Sequence, residues 1–433
     1  YAPIIHARTL YWLAETYVRE NDTETAEAYY ESFLDEPSSF QTPEYKKVNY
    51  SMGYLEFERE NYSRAERWFR EYINLESDKS SVYVADAYNR LGDCRFISSE
   101  YWQAIDYYEK VAETGKANVD YAIFQKAFSL GLVDRPQGKI ETMQELINKY
   151  PESAYIDDAL FELGKTYVLL NNPQAARTNY SRLVEEYSGS TYLSKTLNQL
   201  GLISKNSGNN SEALNYYKRV VNDYPGTPEA SIALRSIRDI YVSQNNVDGY
   251  LAYVENIGEG VSVSEQDSLV YSAAENLYLD GDCEIAVESL KDYLERFPRG
   301  AFILNANYYL ADCLLKLNRG DEAFNSLMFI IEMPSGMFTE PALRAASRIA
   351  YRNKDYHNAA ELYHKLINVG EKKSNIAEAE IGLMRSYIQL QEYQNTIDAA
   401  NQVLLQDKLE PAVKKEAVYA IANAYYQQND PAA

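Results

Sequence analysis

Apolar and polar positions along this 433-residue chain recur with one long period. An apolar-small pair, as at Leu91-Gly92, Leu163-Gly164 and Leu200-Gly201, is followed twelve positions after the small residue by Ala104, Ala176 or Ala213. Four positions further on stands Tyr108, Tyr180 or Tyr217. Anchoring on the small residue gives Ala14, Gly53, Gly92, Ala127, Gly164, Gly201, Arg238, Ala274, Ala311, Ser347, Met384 and Ala422. The intervals are 39, 39, 35, 37, 37, 37, 36, 37, 36, 37 and 38, so twelve units cover the chain and the last is cut short. A fixed period of this size is the mark of a stacked array in which no unit buries its apolar face alone.

Each unit reads as two helices. Apolar residues precede the anchor and aromatic or apolar ones follow it at helical spacing, as at Tyr17, Tyr167, Tyr241 and Tyr387. Asn171-Asn172-Pro173, Gly208-Asn209-Asn210 and Asn245-Asn246 then break the helix. The second helix carries the alanine and a large apolar pair four and seven residues on, and ends at Tyr150-Pro151, Tyr224-Pro225 or Phe297-Pro298, where proline cannot continue it. Thr42-Pro43-Glu44 and Thr227-Pro228-Glu229 read as capped restarts. The anchor and the second-helix alanine are expected to face each other where the two backbones approach most closely.

Apolar-small-x-x-Tyr, then Ala, then an aromatic four on, then a closing Pro, resembles the tetratricopeptide repeat family over the whole chain. The resemblance implies an all-α fold, a right-handed superhelical solenoid of antiparallel helix pairs with about 23 helices. The period departs from that family's usual 34 residues. The longer, Tyr-Pro-closed unit is similar to repeats of bacterial envelope proteins, including accessory factors of outer-membrane assembly. Where the anchor is Arg238 the close-contact positions are bulky, and Gly258-Glu259-Gly260 follows. The chain therefore divides into an N-terminal array over 1–237, a divergent repeat or joint over 238–264, and a C-terminal array over 265–433.

Charge and chemistry narrow the function. Lys+Arg is 42 against 64 Asp+Glu, a net charge of −22, which disfavours nucleic acid and anionic lipid as partners. No apolar run is long enough to span a membrane. With no phosphate-cradling loop, no nucleophile elbow and no metal-ligand spacing, the reading is of a protein that is not an enzyme, with no catalytic residues, no metal and no cofactor. His357 and His364 lie two turns apart, too far for a helix metal pair. Cys94, Cys283 and Cys313 are too few and too scattered for a disulfide framework. Cys94 and Cys313 read as packing residues, and Cys283, in a turn, as the one thiol open to reaction.

Tyrosine is the anomaly, with 41 residues against 13 Phe and 3 Trp. The family resemblance implies that first helices line a groove, on a stripe three before, one after and four after each anchor. Its family version with Lys and Asn clamps a carboxylate, but Tyr11, Glu15, Tyr50, Tyr54, Asn89 and Asp93 stand there instead, so that function is not carried over. Tyr271, Glu275, Tyr278, Tyr308, Asp312, Arg344, Arg348 and Tyr351 place aromatic and charged groups on the stripe in three consecutive units and form the candidate binding surface. Tyrosine offers a large face and a hydroxyl at low entropy cost. The alternative is that these rings only pack between neighbouring helices, and that Arg344, Arg348 and Arg385 pair with acids such as Glu378 and Glu380. The expected function is a non-catalytic scaffold holding a protein or extended peptide. A glycan- or cell-wall-binding component and a docking module of a larger enzyme or secretion complex are the alternatives. The absence of an initiator Met and the unfinished last repeat suggest a piece of a longer chain. The expected location is the periplasm or outer membrane of a bacterium, against a cytoplasmic alternative.

Overall fold

The computed structural model describes residues 2–406 and 408–428. The end of the twelfth unit, residues 429–433, lies outside the described residues. Within them are 23 α-helices, one 3-10 turn at Ser39–Gln41 and no strand. The chain forms two compact units, Tyr1–Ala233 and Leu234–Ala433, and the division falls inside the helix Pro228–Ser243. From Ala2 to Asp223 in the first unit and from Val263 to Gln427 in the second, consecutive helices pack as antiparallel hairpins and each hairpin packs on the next.

The polar break inside each hairpin is a two-residue device. The first residue takes a left-handed conformation, as at Asn21 (φ 62°), Asn171 (φ 54°) and Asn245 (φ 51°). The next residue caps the second helix: the N–H groups of Thr25, Ala175 and Gly249 donate to the side chains of Asp22, Asn172 and Asn246 at 3.1 Å each. Asparagine suits the first position because its short polar side chain tolerates positive φ, and Asp or Asn suits the second because it accepts an otherwise orphaned helix N–H. Second helices end where the sequence places the stop, with Tyr150, Tyr224 and Phe297 as C-caps before proline. Thr227 caps as expected, accepting from Ala230 N–H at 3.1 Å. Thr42 does not: its hydroxyl turns back to the Ser39 carbonyl at 2.6 Å, because the intervening 3-10 turn offers a nearer acceptor.

The nearest contact at the anchor glycine is made by the large residue sixteen positions on. A Cβ built on Gly53 would lie 2.7 Å from the Phe69 ring. On Gly92 it would lie 2.5 Å from Tyr108, on Gly164 2.2 Å from Tyr180, and on Gly201 2.6 Å from Tyr217. Those rings are buried at the centre of the hairpins, with Phe69, Tyr108 and Tyr180 fully inaccessible. The glycine is there to let a ring lie flat against a helix backbone.

The cysteine reading is also corrected. Cys283 and Cys313 form a disulfide across 30 residues, joining the first turn of the helix Cys283–Arg296 to the last turn of the helix Ile303–Lys316. Stacking brings the two positions to a Cα separation of 5.0 Å, a proximity that chain spacing does not reveal. Cys94 is free and buried, and burial pushes its thiol up to about 12.

Gly164→Ala places a methyl group inside the Tyr180 ring and is expected to destabilise the hairpin by about 1–3 kcal/mol. Tyr180→Leu in the same chain should recover part of that loss, giving a coupling energy well above the few tenths expected of independent sites. Hydrogen exchange in the helices Ile156–Leu169 and Pro173–Glu186 reads the effect. Additive losses would show that the ring and the glycine are not partners.

Candidate functional site

The stripe expected to line an open groove is largely a seam between hairpins. At three before the anchor, Phe124 stacks on Tyr155 (5.4 Å), Phe161 on Tyr192 (4.4 Å), Tyr271 on Phe302 (4.4 Å) and Tyr308 on Phe338 (4.2 Å). Each partner ring precedes or opens the first helix of the next unit. Where the position is Asn, the side chain clamps the next unit's backbone instead. Asn89 donates to the Ala117 carbonyl (3.1 Å) and Asn198 to that of Glu229 (2.9 Å).

The predicted site residues therefore separate into groups. Tyr271 is buried, only 3% exposed, and its hydroxyl donates to Glu275 at 2.6 Å, so it supports the stack and presents no open face. Tyr278 stacks on Tyr309 (4.2 Å) and donates to Asp312 (3.0 Å), which also pairs with Lys316 (2.7 Å). Tyr308 is half-buried on Phe338. Arg344, Arg348 and Tyr351 form the remaining group, on the helix Thr339–Arg352.

This last group borders a groove of about 650 Å³ in the second unit. Arg348, Tyr351 and Arg385 stand on one side, and Ile381, Leu409 and Val413 supply apolar surface. The size and the mix of apolar lining with a few charged groups match a site for a peptide side chain or two. Arg344 and Arg348, one helical turn apart, each donate through Nε to Glu378, the former at 3.0 Å. Arg385 grips Glu416 with two parallel bonds of 2.8 and 2.7 Å. Arg385 and Ile381 sat on the predicted stripe but were not chosen. Leu409 and Val413 could not be found that way, because they come from the connection and next helix rather than from stripe positions.

Nothing in the groove forms an acid–base or nucleophilic pair. Among the described residues no cluster of three or more His, Cys, Asp or Glu is placed to hold a metal ion. His357 lies 3.6 Å from Glu361, and His364 exchanges a hydrogen bond with Asn368 at 3.2 Å. No described helix is long and apolar enough to cross a membrane.

Burial pushes the Glu378 carboxyl up, but hydrogen bonds and charge from Arg348 and Arg344 outweigh it, and the group sits below the usual glutamate range. A depressed carboxyl stabilises fully above its unfolded pKa, and that contribution is lost as pH falls through the folded value. A carbon-detected NMR titration should find the Glu378 midpoint below about 4.3. Replacing both arginines by alanine should move it upward. An unmoved midpoint would mean the three groups do not interact in solution.

Two family models described as tetratricopeptide repeat match the chain, one at residues 158–190 and 199–227, the other at 11–81 and 271–328. No curated protein matches it. Among solved structures, MamA is similar at 17% identity, covering 43% of this chain and 98% of its own, with a TM-score of 0.36. YrrB, described as a TPR protein with an unusual peptide-binding site, matches at 17% identity over 43% of this chain and 91% of its own (TM-score 0.35). PilW, described as a type IV pilus biogenesis factor, matches at 16% identity over 53% and 98% (TM-score 0.39). Likeness at this level carries nothing about partner or role. The family matches, the helix hairpins and the period that runs through and between the matched segments lead to one statement: the chain carries tetratricopeptide repeats.

Proposed function

We propose that the protein is a non-catalytic scaffold that holds an extended segment of a partner protein, and that the groove beside Arg348 and Tyr351 is its contact site. The observation that carries this reading is the combination of apolar lining from Ile381, Leu409 and Val413 with half-exposed arginines at the rim. Neither guanidinium of Arg344 and Arg348 is consumed by Glu378, since each uses only its Nε. Tyr278, Tyr308 and Asp312 continue the surface along the same unit through ring edges and a carboxylate. A glycan-binding role has less support, because Tyr271, Tyr278 and Tyr308, expected to stack on sugar rings, already stack on Phe302, Tyr309 and Phe338.

The proposal includes an envelope location. The Cys283–Cys313 bond supports it, because disulfides persist in oxidising compartments and are rare in a reducing cytoplasm. It leaves buried Cys94 as the remaining thiol.

Affinity selection from a random peptide library on the intact chain should enrich a shared motif. Arg348→Glu with Tyr351→Ala should reduce retention of the enriched peptides at least tenfold while the melting profile is unchanged. Enrichment that survives this double change would place the site elsewhere. Alkylation of the natively produced protein, followed by intact-mass measurement, should modify Cys94 alone after unfolding without reductant, and all three cysteines after reduction. Three modified cysteines without reductant would count against the envelope location.

A further inference from the structure

We infer that a slot in the first unit takes the cationic side chain of a lysine or arginine from an extended polypeptide. The slot lies between the helices Ala2–Arg19, Thr23–Asp35 and Glu44–Glu58, and its volume is about 120 Å³. Organic-ligand sites are several times larger, so this space suits one side chain. Tyr30, Tyr50 and Tyr54 wall it, Leu55 and Val18 add apolar surface, and the carboxylates of Glu15 and Glu58 line it.

The tyrosine hydroxyls do not satisfy the slot's charge. Tyr50 and Tyr54 both donate to Asp86, the former at 2.7 Å, and so leave ring surface beside the slot. Tyr30, fully buried, donates to Glu15 Oε1 at 2.8 Å, and Ser51 donates to the same oxygen at 2.7 Å. Those two bonds, together with a hydrogen bond between Tyr11 and Glu15, fix the carboxylate in place with neutral donors alone. Nearby half-buried or buried glutamates are treated differently by the fold: Glu27, Glu44 and Glu56 each hold an arginine. No cation among the described residues pairs with Glu15 or Glu58.

A pre-positioned carboxylate, a second one at the mouth and aromatic walls form the complement of an ammonium or guanidinium on an aliphatic stem. The charge meets Glu15 and Glu58, the ring faces add cation–π attraction, and the stem covers Leu55 and Val18. The slot and the groove of the second unit are separate sites with ligands of different chemistry, so either can fail without the other.

The test uses two nonapeptide libraries, random except for a central residue fixed as lysine or as methionine, retained on the intact chain at physiological salt. The lysine library should be retained at least tenfold better. Because a chain of net charge −22 attracts cationic peptides generally, the variants carry the decision. Glu15→Gln with Glu58→Gln should abolish the preference, and Glu15→Gln keeps an acceptor for Tyr30 and Ser51, so the fold is retained. Glu24→Gln with Glu31→Gln removes the same charge from exposed positions of this unit and should leave the preference intact. Equal retention of the two libraries, or a preference lost equally in both variants, overturns the assignment.

Discussion

The structure depends on one steric arrangement that recurs in most hairpins, a small residue on the first helix beneath a large buried side chain sixteen residues later. The volumes compensate. Glycine lies under Phe69, Tyr108, Tyr180 and Tyr217. Alanine at 127, 274 and 311 stands sixteen before Met143, Leu290 and Leu327, which lack a ring. In the eleventh unit the pair is inverted, with Met384 at the anchor and Ala400 sixteen later, both buried. Ala14 before Tyr30 and Ser347 before Tyr363 show that a ring also fits over a small residue with a Cβ, so the array tolerates drift in the pair and still stacks.

The same arrangement accounts for the tyrosine content. A ring buried at the centre of a hairpin can carry a hydroxyl if an acceptor is within reach. Tyr30 donates to Glu15, Tyr108 to Asp93 at 2.8 Å and Tyr293 to Asp267 at 2.7 Å. Asp93 also accepts from Tyr121 at 2.7 Å and pairs with Arg90 at 2.6 Å, making it the centre of a buried polar cluster. Part of the acidic content is thus structural, spent on holding buried tyrosines.

The hairpins were legible in the sequence because their causes are local. The helix periods, the Asn-Asn and Gly-Asn breaks and the Tyr-Pro stops act within a few residues of where they are read. What helix spacing did not specify is that the ring sixteen residues on lies directly over the anchor glycine. The site was less legible because its partners lie about thirty residues away. Tyr271 and Tyr308 look available for binding until Phe302 and Phe338 are placed on them, and helical spacing within a unit says nothing about that. The same distance hid the Cys283–Cys313 pair. Arg344 and Arg348 share a single acid, Glu378, a pairing across 30 or more residues that spacing within one unit does not reveal.

The Cys283–Cys313 bond also bears on how the chain responds to pulling. Stacked hairpins lengthen under tension by releasing one helix pair at a time, and each released residue adds at most about 3.3–3.6 Å of extension. The covalent link withholds the 30-residue segment it closes, roughly 100 Å of contour, from any force applied at the two ends. That segment holds most of the helix Cys283–Arg296 and the part of the next helix bearing Tyr308 and Asp312. Under load, those residues would remain within a closed loop after the hairpins on either side of it had been drawn out.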